Sequence, residues 1–163
     1  MRMTAGILAA LVFLAASPAA RGDAASAAWK KYKGQIIVSD GPIPGYSSDR
    51  DMIDGLRKLN KTTLTKKADA EAWAFSFMGF LSKKVSAGPI NLVFYKVTGG
   101  KREYMSNKEI NVDSDSNIVQ ADIEVSEEDN ITAGNKYDVV LGRMVNGRET
   151  VYARTKLTFV EAK

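Results

Sequence analysis

The chain has 163 residues, 45% of them hydrophobic, a net charge of +4, and neither cysteine nor histidine. Without imidazole there can be no Ser-His-Asp triad, histidine base or His-bearing zinc site; without thiol, no cysteine nucleophile and no disulfide framework. No Ser-x-x-Lys spacing occurs, so the common serine–lysine nucleophile pattern is absent too; paired carboxylates remain open for glycosidase-type work, but the 19 acids are spread along strand-like and loop-like stretches.

The N-terminus carries an address. Arg2 precedes an apolar run from Ala5 to Ala16, and the small, helix-breaking stretch Ser-Pro-Ala-Ala-Arg-Gly-Asp-Ala follows. This three-part order predicts a secretory signal peptide over residues 1–22, cleaved somewhere between 19 and 25. The run is shorter than the roughly 20 residues that span a bilayer, and no later run reaches that length. No cysteine is present to carry a lipid anchor. The expected destination is the periplasm or the medium, with no transmembrane segment in the mature chain. Loss of Arg2 and Arg21 with the signal lowers the net charge to about +2.

Residues 23–33 form an N-terminal arm, and residues 34–163 read as one domain. In the arm, Ala-Ala-Trp-Lys-Lys-Tyr-Lys interleaves aromatics with lysines. That pattern fits a polyanion-binding arm, but packing of Trp29 and Tyr32 against the core is the preferred reading. A first strand, Gly-Gln-Ile-Ile-Val-Ser-Asp, is stopped by Gly-Pro-Ile-Pro-Gly.

Residues 48–59 predict a helix. Ser48 with Asp51 makes a capping-box variant. Asp49 and Asp51 lie at the positive end of the dipole, and Arg57 and Lys58 at the negative end. Met52, Ile53, Leu56 and Leu59 form an apolar stripe that needs a sheet to cover it, and Gly55 weakens the helix by about 1 kcal/mol.

Strands follow. From Trp73, alternation sets Trp73, Phe75, Phe77 and Leu81 on one face, with Met78 and Phe80 on a second face that is not fully solvated. Ile-Asn-Leu-Val-Phe-Tyr-Lys-Val runs to Gly99-Gly100, and Lys-Arg-Glu-Tyr-Met returns as a hairpin. In residues 117–125, Val119, Ala121, Ile123 and Val125 point in and Gln120, Asp122 and Glu124 point out. The last two strands form a hairpin around Asn146-Gly147. A plain two-residue turn would set Val139 beside Arg154, mixing buried and charged side chains on one face. A three-residue loop, Val145-Asn146-Gly147, pairs Leu141 with Val151 and Val139 with Ala153. A bulge at Gly142 would serve the same end.

About seven strands with one short helical insertion predict an all-β fold, an antiparallel β-sandwich. The last third of the chain resembles immunoglobulin-like and fibronectin type III-like domains of exported bacterial proteins. The resemblance rests on Ala133-Gly134-Asn135-Lys136-Tyr137, a glycine-containing turn followed by the Tyr that opens the penultimate strand. It implies a tyrosine corner at Tyr137. The antibody cysteine pair is missing.

Asp113, Asp115, Asn117 and Glu124 occupy positions 1, 3, 5 and 12 of a calcium-loop spacing. However, Ile118 stands where the loop needs glycine, and the following residues alternate as a strand. A polar turn feeding a strand is the better reading. A looser calcium site, using Asp113 and Asp115 with Glu127, Glu128 or Asp129, stays as a weak candidate, and no cofactor is expected. Eight acids and no base lie between Glu109 and Asn135, whereas residues 57–67 hold five bases and no acid. This asymmetry suits a charged protein partner or head-to-tail self-association, and no nucleic-acid motif is evident.

These features favour a non-catalytic binding module of the envelope that contacts a protein through a sheet edge or the helix. A glycan-, ligand- or calcium-binding sandwich is the alternative, and a carboxylate-dependent hydrolase is a distant third. The final strand, Glu149 to Val160, is the candidate contact edge if it lies at the end of the sheet; the competing reading is an edge held by the penultimate strand and covered by the N-terminal arm. Tyr152, Arg154 and Lys156 point outward from it, and Glu127, Glu128 and Asp129 are the acidic counterpart on a second copy.

Overall fold

A computed structural model of the chain describes residues 26–162. The expected signal peptide, residues 1–22, and the start of the arm, residues 23–25, lie outside them. The elements run α1 (Ala27–Tyr32), β1 (Gln35–Ser39), α2 (Asp49–Leu59), β2 (Thr63–Thr65), β3 (Trp73–Val85), β4 (Gly88–Thr98), β5 (Lys101–Val112), β6 (Ser116–Val125), a 3-10 turn (Glu127–Asp129), β7 (Lys136–Val145) and β8 (Arg148–Val160).

The fold is mostly β. The strands form one curled sheet in the order β5-β4-β7-β8-β1-β3-β6, with β2 added alongside β8. The sheet is mixed, not wholly antiparallel: β1 meets β8 in parallel at a single pair, Gln35 with Arg154, and β2 runs parallel to the end of β8. This departs from the sequence expectation for a local reason. The chain leaving α2 lies down beside β8, where Thr158 N–H donates to Thr62 O and Lys66 N–H to Val160 O.

The curl encloses the larger core. Trp73, Phe75, Phe77 and Leu81 of β3 face Leu92 and Phe94 of β4, Tyr137, Val139 and Leu141 of β7, and Leu157 and Phe159 of β8. Phe159 is the hub, with the Trp73 and Tyr137 rings both edge-on to it at 5.5 Å. Gly79 makes room inside, because a Cβ there would sit 2.7 Å from Leu141 Cδ2. The second face of β3 behaves as the alternation predicts. Met78 and Phe80, with Ile37 of β1, are roofed by Ala28 and Tyr32 of α1 and Leu56 of α2.

Both helices are tied to the sheet and to each other. Ser48 caps α2 by accepting from Asp51 N–H. The Trp29 indole donates to Leu81 O, and the Tyr32 hydroxyl to Ile53 O. The aromatics of the arm therefore serve packing. Gly55 has a use that composition could not show: the Tyr46 ring lies directly against it, where any Cβ would collide.

The terminal hairpin corrects the expected loop. Asn146 and Gly147 have φ of 51° and 74°, and Val145 pairs with Arg148, so the turn has two residues. The register is repaired between Leu141 and Gly142: Leu141 pairs with Ala153, Gly142 with Val151, and Tyr152 is the extra residue. The bulge thus sits at Gly142, with its added residue on β8. Gly142 is required there, because a Cβ would lie 2.7 Å from Thr150 O.

Candidate functional site

The expected contact strand is not an edge. β8 lies inside the sheet between β7 and the β1–β2 side, and Arg154 N–H already donates to Gly34 O. Tyr152 is not outward either. The bulge turns it inward, leaving it 6% exposed, with Lys83 Nζ 5.5 Å from its ring centre. Arg154 and Lys156 do remain exposed, opposite Val140 and Asp138 of β7.

The acidic candidates separate into two places. Asp113 and Asp115 lie in the three-residue turn between β5 and β6, with Asp115 4.0 Å from Lys84 Nζ. Glu127, Glu128 and Asp129 lie beyond the far end of β6. Its ten residues, at roughly 3.3 Å each, hold the two groups about 30 Å apart. The looser calcium site cannot assemble across that span. Asp129 is also engaged, pairing with Lys108 at 2.7 Å and accepting from Ser126 N–H. Among the described residues, no three acids come together as metal ligands.

The outer face of β4 and β5 carries a polar cluster that the sequence reading missed. Tyr95 of β4 stands beside Tyr104 of β5, their rings edge-on at 6.2 Å. The Arg102 guanidinium lies 4.0 Å from the Tyr95 ring centre, and its Nε pairs with the nearly buried Asp138 at 3.1 Å. Tyr95 O–H donates to Glu149 at 2.6 Å. Burial first, then the Glu149 hydrogen bond and charge, push the Tyr95 phenol up to about 12. Tyr104 is 57% exposed and donates to Asn107, whose amide in turn reaches Asn91. Of the two rings, Tyr104 is open and Tyr95 is covered by Arg102.

A second feature is an open depression of about 560 Å³ lined by Asp40, Lys67, Ser76, Asp122 and Glu124. It lies on the outer face of β3 and β6, just past the helical roof. The buried Ser76 hydroxyl donates to Asp122 at 2.6 Å.

The real ends of the sheet are β5 and β6. β5 is a 12-residue strand with neither Pro nor Gly, exposed along most of its length. Only its first five residues were legible as a hairpin return, since Ser-Asn-Lys-Glu-Ile-Asn-Val shows little apolar alternation. One irregularity interrupts it: Phe94 pairs with Ser106 and Tyr95 with Tyr104, leaving Met105 as the extra residue. The 3-10 turn and the residue after it contact this strand: Asp129 pairs with Lys108, and the Asn130 amide reaches Met105 O at 3.5 Å.

No protein-family model matches the chain, and no curated protein matches it significantly.

Proposed function

We propose that this chain is an exported, non-catalytic interaction module of the bacterial envelope that receives a protein partner by strand addition at β5. The observation that carries the reading is the edge itself. β5 ends the sheet, is long and lacks proline; its charged side chains and its bulge at Met105 oppose indiscriminate pairing and favour a partner of matching charge. Strand addition supplies main-chain hydrogen bonds for affinity and alternate side chains for selectivity. The export part rests on the order of charge, apolar run and small residues at the N-terminus.

The fold proposal that goes with it is an immunoglobulin-like or fibronectin type III-like sandwich. Two observations support it. The strands β5-β4-β7-β8 and β1-β3-β6 enclose the large core and join at a single residue pair between β8 and β1. The Tyr137 hydroxyl accepts from Thr132 N–H at 2.9 Å, the hook implied by a tyrosine corner.

Affinity capture from the native envelope tests the reading, with the tagged protein compared with its Glu109→Pro variant. Partners recovered by the first and lost by the second support it. The same recovery by both contradicts it.

A further inference from the structure

We infer that β5 pairs with β5 of a second copy of this chain, antiparallel, about a two-fold axis between Met105 and Ser106. The inference rests on the edge reading and names its occupant.

The backbone sets the phase. Gly99 and Gly100 have φ of 56° and 78° and close the β4–β5 hairpin from Thr98 to Lys101. A two-residue turn of this kind closes on a hydrogen-bonded pair, and the ladder then alternates. Lys101 and Glu103 therefore point their amides and carbonyls at β4, while Arg102 and Tyr104 point theirs at the free edge. The extra residue, Met105, shifts the phase by one. Beyond it, Lys108 turns toward β4, and Asn107 and Glu109 turn toward the edge.

The side chains follow the same shift. Arg102, Tyr104, Asn107 and Glu109 lie on the outer face and are exposed; Ser106, Lys108 and Ile110 lean inward and are half-buried.

One register satisfies everything. It sets Arg102 opposite Glu109 of the second copy, Glu103 opposite Lys108, and Tyr104 opposite Asn107. Each pair unites side chains on the same face. The pairs Arg102–Glu109 and Tyr104–Asn107 also bring edge-directed backbone groups together, giving about eight hydrogen bonds by symmetry. Arg102 and Lys108 each meet an anion, twice over, and Lys101 falls opposite Ile110. A slip of one residue sets Arg102 against Lys108 or Glu103 against Glu109, and it turns backbone groups away from each other. Without the bulge, this pairing would put outer against inner side chains. The Asn130 amide touches Met105 O at the axis, where the ladder needs no bond from that carbonyl. Lys108, already beside Asp129, would bridge Asp129 and Glu103 of the second copy.

The test is analytical ultracentrifugation of the purified chain over a concentration series, with two variants. Glu109→Lys should weaken self-association about tenfold or more, since symmetry spoils two ion pairs at once. Glu109→Pro should abolish it while leaving the monomer intact, because the lost N–H points at the open edge. If the Pro variant fails to fold by circular dichroism, the Lys variant decides alone. A wild-type chain that stays monomeric throughout, or a dimer that the variants leave unchanged, overturns the inference. A monomeric wild type whose captured partner is lost on Glu109→Pro would sink the second copy but keep the edge; a monomer with capture unaffected would sink both.

Discussion

Leu56→Ala tests whether the helical roof belongs energetically to the sheet. Leu56 is fully buried among Ala28, Tyr32, Ile37, Ile43, Met78 and Phe80. The substitution removes three carbons, about 2.4 kcal/mol at roughly 0.8 kcal/mol each. The roof cannot sink freely into the space left behind. Asn60 Oδ1 accepts from Val38 N–H, Lys61 N–H donates to Val38 O, and Ala27 N–H donates to Asp49. Part of the cavity therefore persists and adds on the order of 0.5–1 kcal/mol. The better helix propensity of Ala returns only about 0.2 kcal/mol. The expected loss is about 3 kcal/mol. Urea unfolding followed by tryptophan fluorescence measures it, because Trp29 reports the roof and Trp73 the large core; Trp29→Phe and Trp73→Phe backgrounds separate the two signals. A loss below about 1 kcal/mol, or a roof that melts before the core in the wild type, refutes the reasoning.

Tyr95 should make stability fall at high pH. Its folded pKa is raised, so its contribution is fully present below the ordinary phenol value of 10.0 and is lost as pH rises toward about 12; Tyr95→Phe should flatten that fall in denaturation curves taken across this window. Tyr137→Phe should cost on the order of 1–2 kcal/mol, since Thr132 N–H loses its partner beside a core ring, and an unchanged urea midpoint would contradict the hook. Calcium should raise the melting temperature by less than about 2 °C, because linkage stabilises only where a site exists; a larger rise abolished by Asp115→Ala would reopen that site.

Much of the fold was legible because its signals are local. The capped helix is set by Ser48 and Asp51, the two faces of β3 by alternation, and the β4–β5 turn by Gly99-Gly100, while Asn146-Gly147 marked the place of the last turn but not its length. What stayed hidden depends on neighbours distant in sequence. β2 is three residues long and exists because β8 offers it a ladder. α1 is a single turn and a half, held by the Trp29 and Tyr32 hydrogen bonds more than by its own propensity. The bulge at Gly142 looked interchangeable with a longer loop, since either restores the parity of the strand. Only the approach of Thr150 O to Gly142 decides between them, and that choice buried Tyr152. The candidate site moved for the same reason. Which strand lies at the edge is a property of sheet order, and the polar second half of β5 shows little apolar alternation, with only Ile110 and Val112 two apart.

Amide hydrogen exchange along β5, read residue by residue at low and high protein concentration, tests the open edge most directly. In dilute solution the amides of Glu103 and Lys108, bonded to β4, should be protected, while those of Arg102, Tyr104, Asn107 and Glu109 exchange quickly. At high concentration those four should gain protection together, and Glu109→Lys should remove the gain. Uniform protection along β5 in the dilute sample would mean that the edge is already covered. Exchange at those four positions that ignores concentration and added envelope extract alike would contradict the account.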